Sequence, residues 1–195
     1  NRHSAAVSCA GVVFTWGSNS SSQLGYSTSD SCSHTPRRVE SIGDGRRAVH
    51  VSASKFHTAI STADGDVLTW GYKQGIPRKV TLGPAAKALA GATDRHRALG
   101  SGHSKQRLFA STVSAGATHS VVVTRCGVTL CWASGDPSLR CMPVPTLLGK
   151  RVVLVATGKM RSAAVTAEGD VWMWEGVPRK VLAGDGDPTP LKPGS

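Results

Sequence analysis

Short runs of alternating apolar and polar residues mark this chain, most clearly between residues 49 and 82. Val51 and Ala53 alternate with polar neighbours. Then come Thr58-Ala59-Ile60-Ser61-Thr62, a turn at Asp64-Gly65, and Asp66-Val67-Leu68-Thr69-Trp70. Period-two alternation places successive side chains on opposite faces of a strand. Asp-Gly between two β-rich runs predicts a hairpin, because Gly takes positive φ without steric cost. Pro77-Arg78-Lys79-Val80 closes the unit, with Pro suited to the first residue of an edge strand. The prediction is four consecutive antiparallel strands over 49–54, 58–62, 67–70 and 79–82.

The unit recurs. A His, once an Arg, is followed eight residues on by Gly and five further on by Trp: His3–Gly11–Trp16, His57–Gly65–Trp70, His119–Gly127–Trp132 and Arg161–Gly169–Trp174. Ser or Thr always follows the first member: Ser4, Thr58, Ser120, Ser162. The first members are spaced 54, 62 and 42 residues apart, which suits a propeller blade of four short strands. The basic closing run recurs as Pro36-Arg37-Arg38-Val39 and Pro178-Arg179-Lys180-Val181; the third unit has Pro143-Val144-Pro145. The chain is therefore read as all-β, a partial β-propeller of about four blades of four antiparallel strands. It spans 1–181, with a loop insertion at about 83–111 and an irregular Gly/Pro-rich tail over 182–195. Residue 1 falls where Lys55 falls in the second unit, so the first blade is expected without its inner strand.

Composition adds little to the fold but narrows the function. No apolar run approaches the ~20 residues of a membrane helix. No basic start leads into an apolar stretch, so no signal peptide is read. An intracellular location, cytoplasmic or nuclear, is the expectation. The five Cys are irregularly spaced. Cys126 and Cys131 flank a turn and read as hairpin residues rather than half a metal site, since no second pair has ligand spacing. No metal and no cofactor are expected.

The His-Ser/Thr pairs, the Gly before each Trp strand, Trp16-Gly17, Trp70-Gly71 and Gln23-Leu24-Gly25-Tyr26 together resemble the regulator of chromosome condensation family. That resemblance implies a seven-bladed propeller, of which this chain holds about four blades. The ring then needs missing residues or another chain to close. Trp132-Ala133 and Trp174-Glu175 depart from the pattern, and neither unit has Gln-Leu-Gly. The segment from Cys131 to Cys141 and the shortened Trp70–Pro77 segment look like the propeller of plant and algal proteins similar to the inhibitor of Bruton tyrosine kinase. There, ankyrin repeats precede the propeller and BTB domains follow it. This finer resemblance implies a substrate adaptor of a cullin-type ubiquitin ligase.

The formal net charge is +11. Nucleic acid is not the favoured partner, because the charges are dispersed and no aromatics are interleaved for base stacking. The pairs Arg37-Arg38, Arg78-Lys79 and Arg179-Lys180 share one blade position and are expected to line a rim. The insertion carries Lys87, Arg95, Arg97, Lys105 and Arg107 against one acid, Asp94. It reads as a loop, and these five cations are the candidate contacts for an acidic protein partner.

Neighbouring His and Ser point to opposite faces of a strand, so a His-Ser pair is not read as base and nucleophile. His3, His57 and His119 are expected to be structural, bonding the backbone of the next blade. Trp16, Trp70, Trp132 and Trp174 are read as inter-blade packing. A plant ultraviolet-B photoreceptor of this fold uses clustered Trp, but its Gly-Trp-Arg-His-Thr motif is absent here. The leading function is a non-catalytic protein-interaction scaffold. The alternative is a small-GTPase exchange regulator or chromatin-binding propeller.

Overall fold

A computed structural model describes residues 2–43, 45–83 and 108–177, together with the backbone of Thr189–Pro190. It contains four antiparallel sheets in chain order. The first has three strands: β1 (His3–Val7), β2 (Val13–Ser18) and β3 (Cys32–Arg38). The second holds β4 (Ala48–Ala53), β5 (His57–Thr62), β6 (Val67–Gly71) and β7 (Gln74–Lys79). The third holds β8 (Ala110–Ala115), β9 (His119–Thr124), β10 (Thr129–Ala133) and β11 (Met142–Pro143). The fourth holds β12 (Val152–Thr157), β13 (Arg161–Thr166), β14 (Val171–Glu175) and β15 (Thr189–Pro190). Among the described residues there is no α-helix. This is a partial propeller.

The registers show the repeat directly. His3 pairs with Gly17, His57 with Gly71, His119 with Ala133 and Arg161 with Glu175. β1 therefore corresponds to β5, β9 and β13, the second strand of each four-stranded sheet. The inner strands β4, β8 and β12 share one bulge, at Val49, Ser111 and Val153. It turns Val49 and Val153 outward, which is why both stand about half exposed.

The core lies between sheets. Val13, Val39, Ile60, Leu68 and Trp70 join the first two. Ala59, Val67, Val113, Val122, Leu130 and Trp132 join the second and third. Val121, Val123, Val155, Ala164 and Trp174 join the third and fourth. β5 and β9 are covered on both faces, whereas β1 and β13 alternate between covered and open positions.

Two boundaries differ from the sequence reading. β7 begins at Gln74 rather than 79, and Pro77 lies inside it. Thr69 pairs with Arg78 and Gly71 with Gln74, so Gly75, Ile76 and Pro77 bulge opposite Trp70. The first sheet repeats this: Thr15 pairs with Arg37 and Gly17 with Ser33, leaving His34, Thr35 and Pro36 opposite Trp16. A bulge spares a ladder bond that Pro cannot donate. The other difference is β15. Residues 178–181, read as the fourth outer strand, lie outside the described residues. The outer strand seen is Thr189–Pro190, paired with Trp172 and Met173 inside the segment read as tail.

Candidate functional site

The repeated His reaches the next sheet, and its partner is a side-chain hydroxyl rather than the backbone expected from sequence. His3 Nε2 lies 2.7 Å from Thr58 Oγ1, His57 Nε2 2.8 Å from Ser120 Oγ, and His119 Nε2 2.5 Å from Ser162 Oγ. Each His therefore addresses the Ser or Thr of the following repeat. Thr58 spends its own proton on Gln23 O at 2.8 Å, so His3 Nε2–H donates to Thr58. His57 is pinned at both ends, with Ser54 Oγ 2.7 Å from Nδ1.

Distance alone would fit a serine–histidine pair. Burial does not. His57, Ser120 and His119 are essentially inaccessible. Burial pulls the His57 imidazole down to about 4, with a smaller contribution from His3. Burial alone holds His3 at about 4 and moves His119 downward. An inaccessible imidazole of that acidity is a hydrogen-bonding strut, not a general base working near neutrality. In the fourth sheet the relay stops. Arg161 stands at the His position, and its Nε donates to Glu175 Oε1 at 2.7 Å on the surface.

Gln23-Leu24-Gly25 forms a plug between the first two sheets. Gln23 O accepts from Thr58 Oγ1 and, at 2.9 Å, from Trp70 Nε1. Leu24 is fully buried, and its carbonyl accepts from Thr15 Oγ1 at 2.6 Å. Gly25 has φ +78°, and a Cβ there would lie 2.6 Å from Trp70 Nε1. The next interface has no such plug, because β6 and β7 are joined by only Tyr72-Lys73. Instead the third sheet's own outer connection folds back. Thr81 N donates to Leu139 O at 2.8 Å, Cys141 N donates to Thr81 O at 2.9 Å, and Leu139 is buried. Trp132 Nε1 and Trp174 Nε1 are left without a hydrogen-bond partner among the described residues.

The remaining candidates divide. Lys87, Arg95, Arg97, Lys105 and Arg107 lie outside the described residues. Of the basic pairs, Arg37 and Arg78 share a ladder position, as do Arg38 and Lys79. Several are committed to the fold. Lys79 Nζ donates to the buried Asp66 at 2.7 Å, Arg78 Nη2 donates to Pro137 O at 2.5 Å, and Arg37 stacks over Tyr26. Arg179 and Lys180 lie outside the described residues. Cys126 is exposed at its turn, while burial pushes the Cys131 thiol up to about 12.

Sequence reasoning missed Tyr72-Lys73. Both have positive φ, 51° and 67°. Tyr72 N donates to Phe56 O at 3.0 Å, and Lys73 N donates to Ser21 O at 2.9 Å. The Tyr72 hydroxyl donates to Ala117 O. One two-residue turn thus ties three sheets together. The available signal was the short Trp70–Pro77 spacing, which leaves room only for a tight turn.

Comparison with known proteins follows the same outline. Residues 10–61 match the family model described as the regulator of chromosome condensation (RCC1) repeat. The RCC1 domain-containing protein RUG3, mitochondrial, of Arabidopsis thaliana is 28% identical over 88% of this chain and 51% of its own length. The human E3 ubiquitin-protein ligase HERC2 is 29% identical over 88% of this chain and 4% of its own length. This chain thus spans about half of one relative and a small part of the other. The crystal structure of Prp20p from Saccharomyces cerevisiae superposes with a TM-score of 0.67 at 19% identity, covering 97% of this chain and 48% of that one.

Proposed function

We propose that this chain, a partial propeller built from repeats of the regulator of chromosome condensation family, is a non-catalytic protein-interaction module working inside the cell. The observation carrying this reading is the relay of His3, His57 and His119 to Thr58, Ser120 and Ser162. It spends the one repeated nucleophile-like constellation on docking blades, leaving surface turns to meet partners. The finer reading is a substrate-recruiting propeller of a ubiquitin-ligase adaptor, of the kind flanked by ankyrin and BTB domains. Its support is that HERC2, named an E3 ubiquitin-protein ligase, contains a stretch similar to this chain. The mitochondrial designation of RUG3 supports work inside a cell compartment.

The second reading is a small-GTPase exchange regulator or chromatin-binding propeller. It draws on the net charge of +11 and on the fold shared with Prp20p, described with its binding properties to Gsp1p and histones. Affinity capture with the chain as bait tests both. Recovery of cullin-type ligase subunits supports the first. Accelerated nucleotide release from a recovered GTPase, or salt-sensitive DNA binding, supports the second. Lys87, Arg95, Arg97, Lys105 and Arg107 remain the proposed contacts for an acidic protein. Reversing Arg95, Arg97, Lys105 and Arg107 to Glu is expected to abolish recovery; equal recovery would remove them.

A further inference from the structure

One end of the blade stack is a continuous row of turns. The amide two residues after each repeated Trp donates to the carbonyl just before each repeat's His or Arg. Ser18 N reaches Arg2 O at 2.9 Å, Tyr72 N reaches Phe56 O at 3.0 Å, Ser134 N reaches Thr118 O at 3.0 Å, and Gly176 N reaches Met160 O at 2.7 Å. Arg2, Phe56, Thr118 and Met160 are therefore equivalent. The row is also tied sideways. Lys73 N donates to Ser21 O, the Tyr72 hydroxyl to Ala117 O, Ala117 N to Gly158 O, and Thr118 Oγ1 to Lys159 O.

Its chemistry is mostly basic. Arg2, Lys55, Lys73 and Lys159 are exposed, whereas the acids at these turns, Asp136 and Glu175, are already engaged by Ser138 and Arg161. No ion pair engages the four cations among the described residues; Lys55 rests over the Phe56 ring. Between them lie apolar groups: Met160, 57% exposed, and Phe56, which packs on Tyr72 with centroids 5.5 Å apart. The opposite end differs. There Arg47 and Arg125 donate to the carbonyls of Ala10 and Ala63, Lys150 lies over Trp172, and Asp64 and Glu168 share the turns.

Lys73 is the sharpest feature. This two-residue hairpin loop needs left-handed backbone at both positions, which Tyr and Lys adopt less readily than Asn or Gly. The Tyr72 hydroxyl repays its position through Ala117. The Lys73 side chain is exposed and makes no hydrogen bond, ion pair or ring contact among the described residues, where a Gly would sit without strain.

We propose that this row docks an acidic linear segment carrying an apolar side chain, its carboxylates on Lys55, Lys73 and Lys159 and its apolar group against Phe56 and Met160. Opposed charge supplies orientation and salt sensitivity, and the apolar contact supplies the anchor. The proposal deepens the interaction-module reading and rests on it.

The probe is a fluorescein-labelled peptide of eight Glu with one central Leu, titrated with the 195-residue chain in an anisotropy assay. Saturable binding that weakens as salt rises from 50 to 200 mM is expected. K55E/K73E/K159E is expected to raise Kd at least tenfold. F56S/M160S is expected to raise it while leaving the salt slope unchanged. K73G is expected to weaken binding without lowering Tm, which separates binding from folding. R46E/R47E/R151E, at the opposite end, is expected to leave Kd within twofold. The proposal is overturned by a wild-type chain that does not saturate, by a triple reversal with unaltered Kd, by loss of binding in the opposite-end variant, or by duplex DNA displacing the peptide and binding more tightly. Partner capture does not use this peptide, so failure of the docking proposal and failure of the interaction-module reading give different results.

Discussion

Trp16 and Trp70 hold the same repeat position in different surroundings. Trp70 is buried against the Gln-Leu-Gly plug, while Trp16, in the first sheet, is only half-buried. Trp70→Ala is expected to cost about 3–5 kcal/mol, as for other buried large aromatics. Trp16→Ala should cost clearly less, and urea unfolding of both variants measures the difference. Gly25 gives a second residue-scale prediction. Alanine there keeps a left-handed φ, a penalty of roughly 1–2 kcal/mol, and adds a clash with the Trp70 indole. Gly25→Ala should therefore destabilise by more than that penalty, and a loss below about 0.5 kcal/mol would show that the plug yields. The partners of the repeated His residues were not legible in sequence. Each hydroxyl lies 55, 63 or 43 residues away, on a blade whose docking only the folded register reveals.

Strands two and three of each blade were legible because alternation and a Gly-containing turn report the same hairpin. The outer strands were not. Proline was read as a strand start, but Pro36 and Pro77 sit within bulges opposite Trp16 and Trp70. Pairing through a bulge leaves no period-two trace. The Tyr72-Lys73 turn was hidden for another reason: two-residue hairpin loops usually announce themselves with Asn-Gly or Asp-Gly. Because Gly takes a left-handed backbone without steric cost, Lys73→Gly should raise Tm or leave it unchanged. A drop of several degrees would mean that the lysine side chain supports the fold.

For the whole molecule, the buried imidazoles link stability to pH. His3 and His57 have pKa values of about 4 in the folded chain, against 6.5 when exposed. Between those values the unfolded chain binds protons that the folded chain refuses. Their contribution is complete above about pH 6.5 and is lost as pH falls toward 4. Thermal scans should show Tm holding near neutrality and falling across that window, with a shallower fall in His57→Gln. The central claim is that the repeated His and hydroxyl join successive blades. The measurement that tests it most directly is a double-mutant cycle on His57→Ala and Ser120→Ala, read by urea unfolding. Contact predicts a coupling of about 0.5–3 kcal/mol, and additivity within about 0.3 kcal/mol would contradict it.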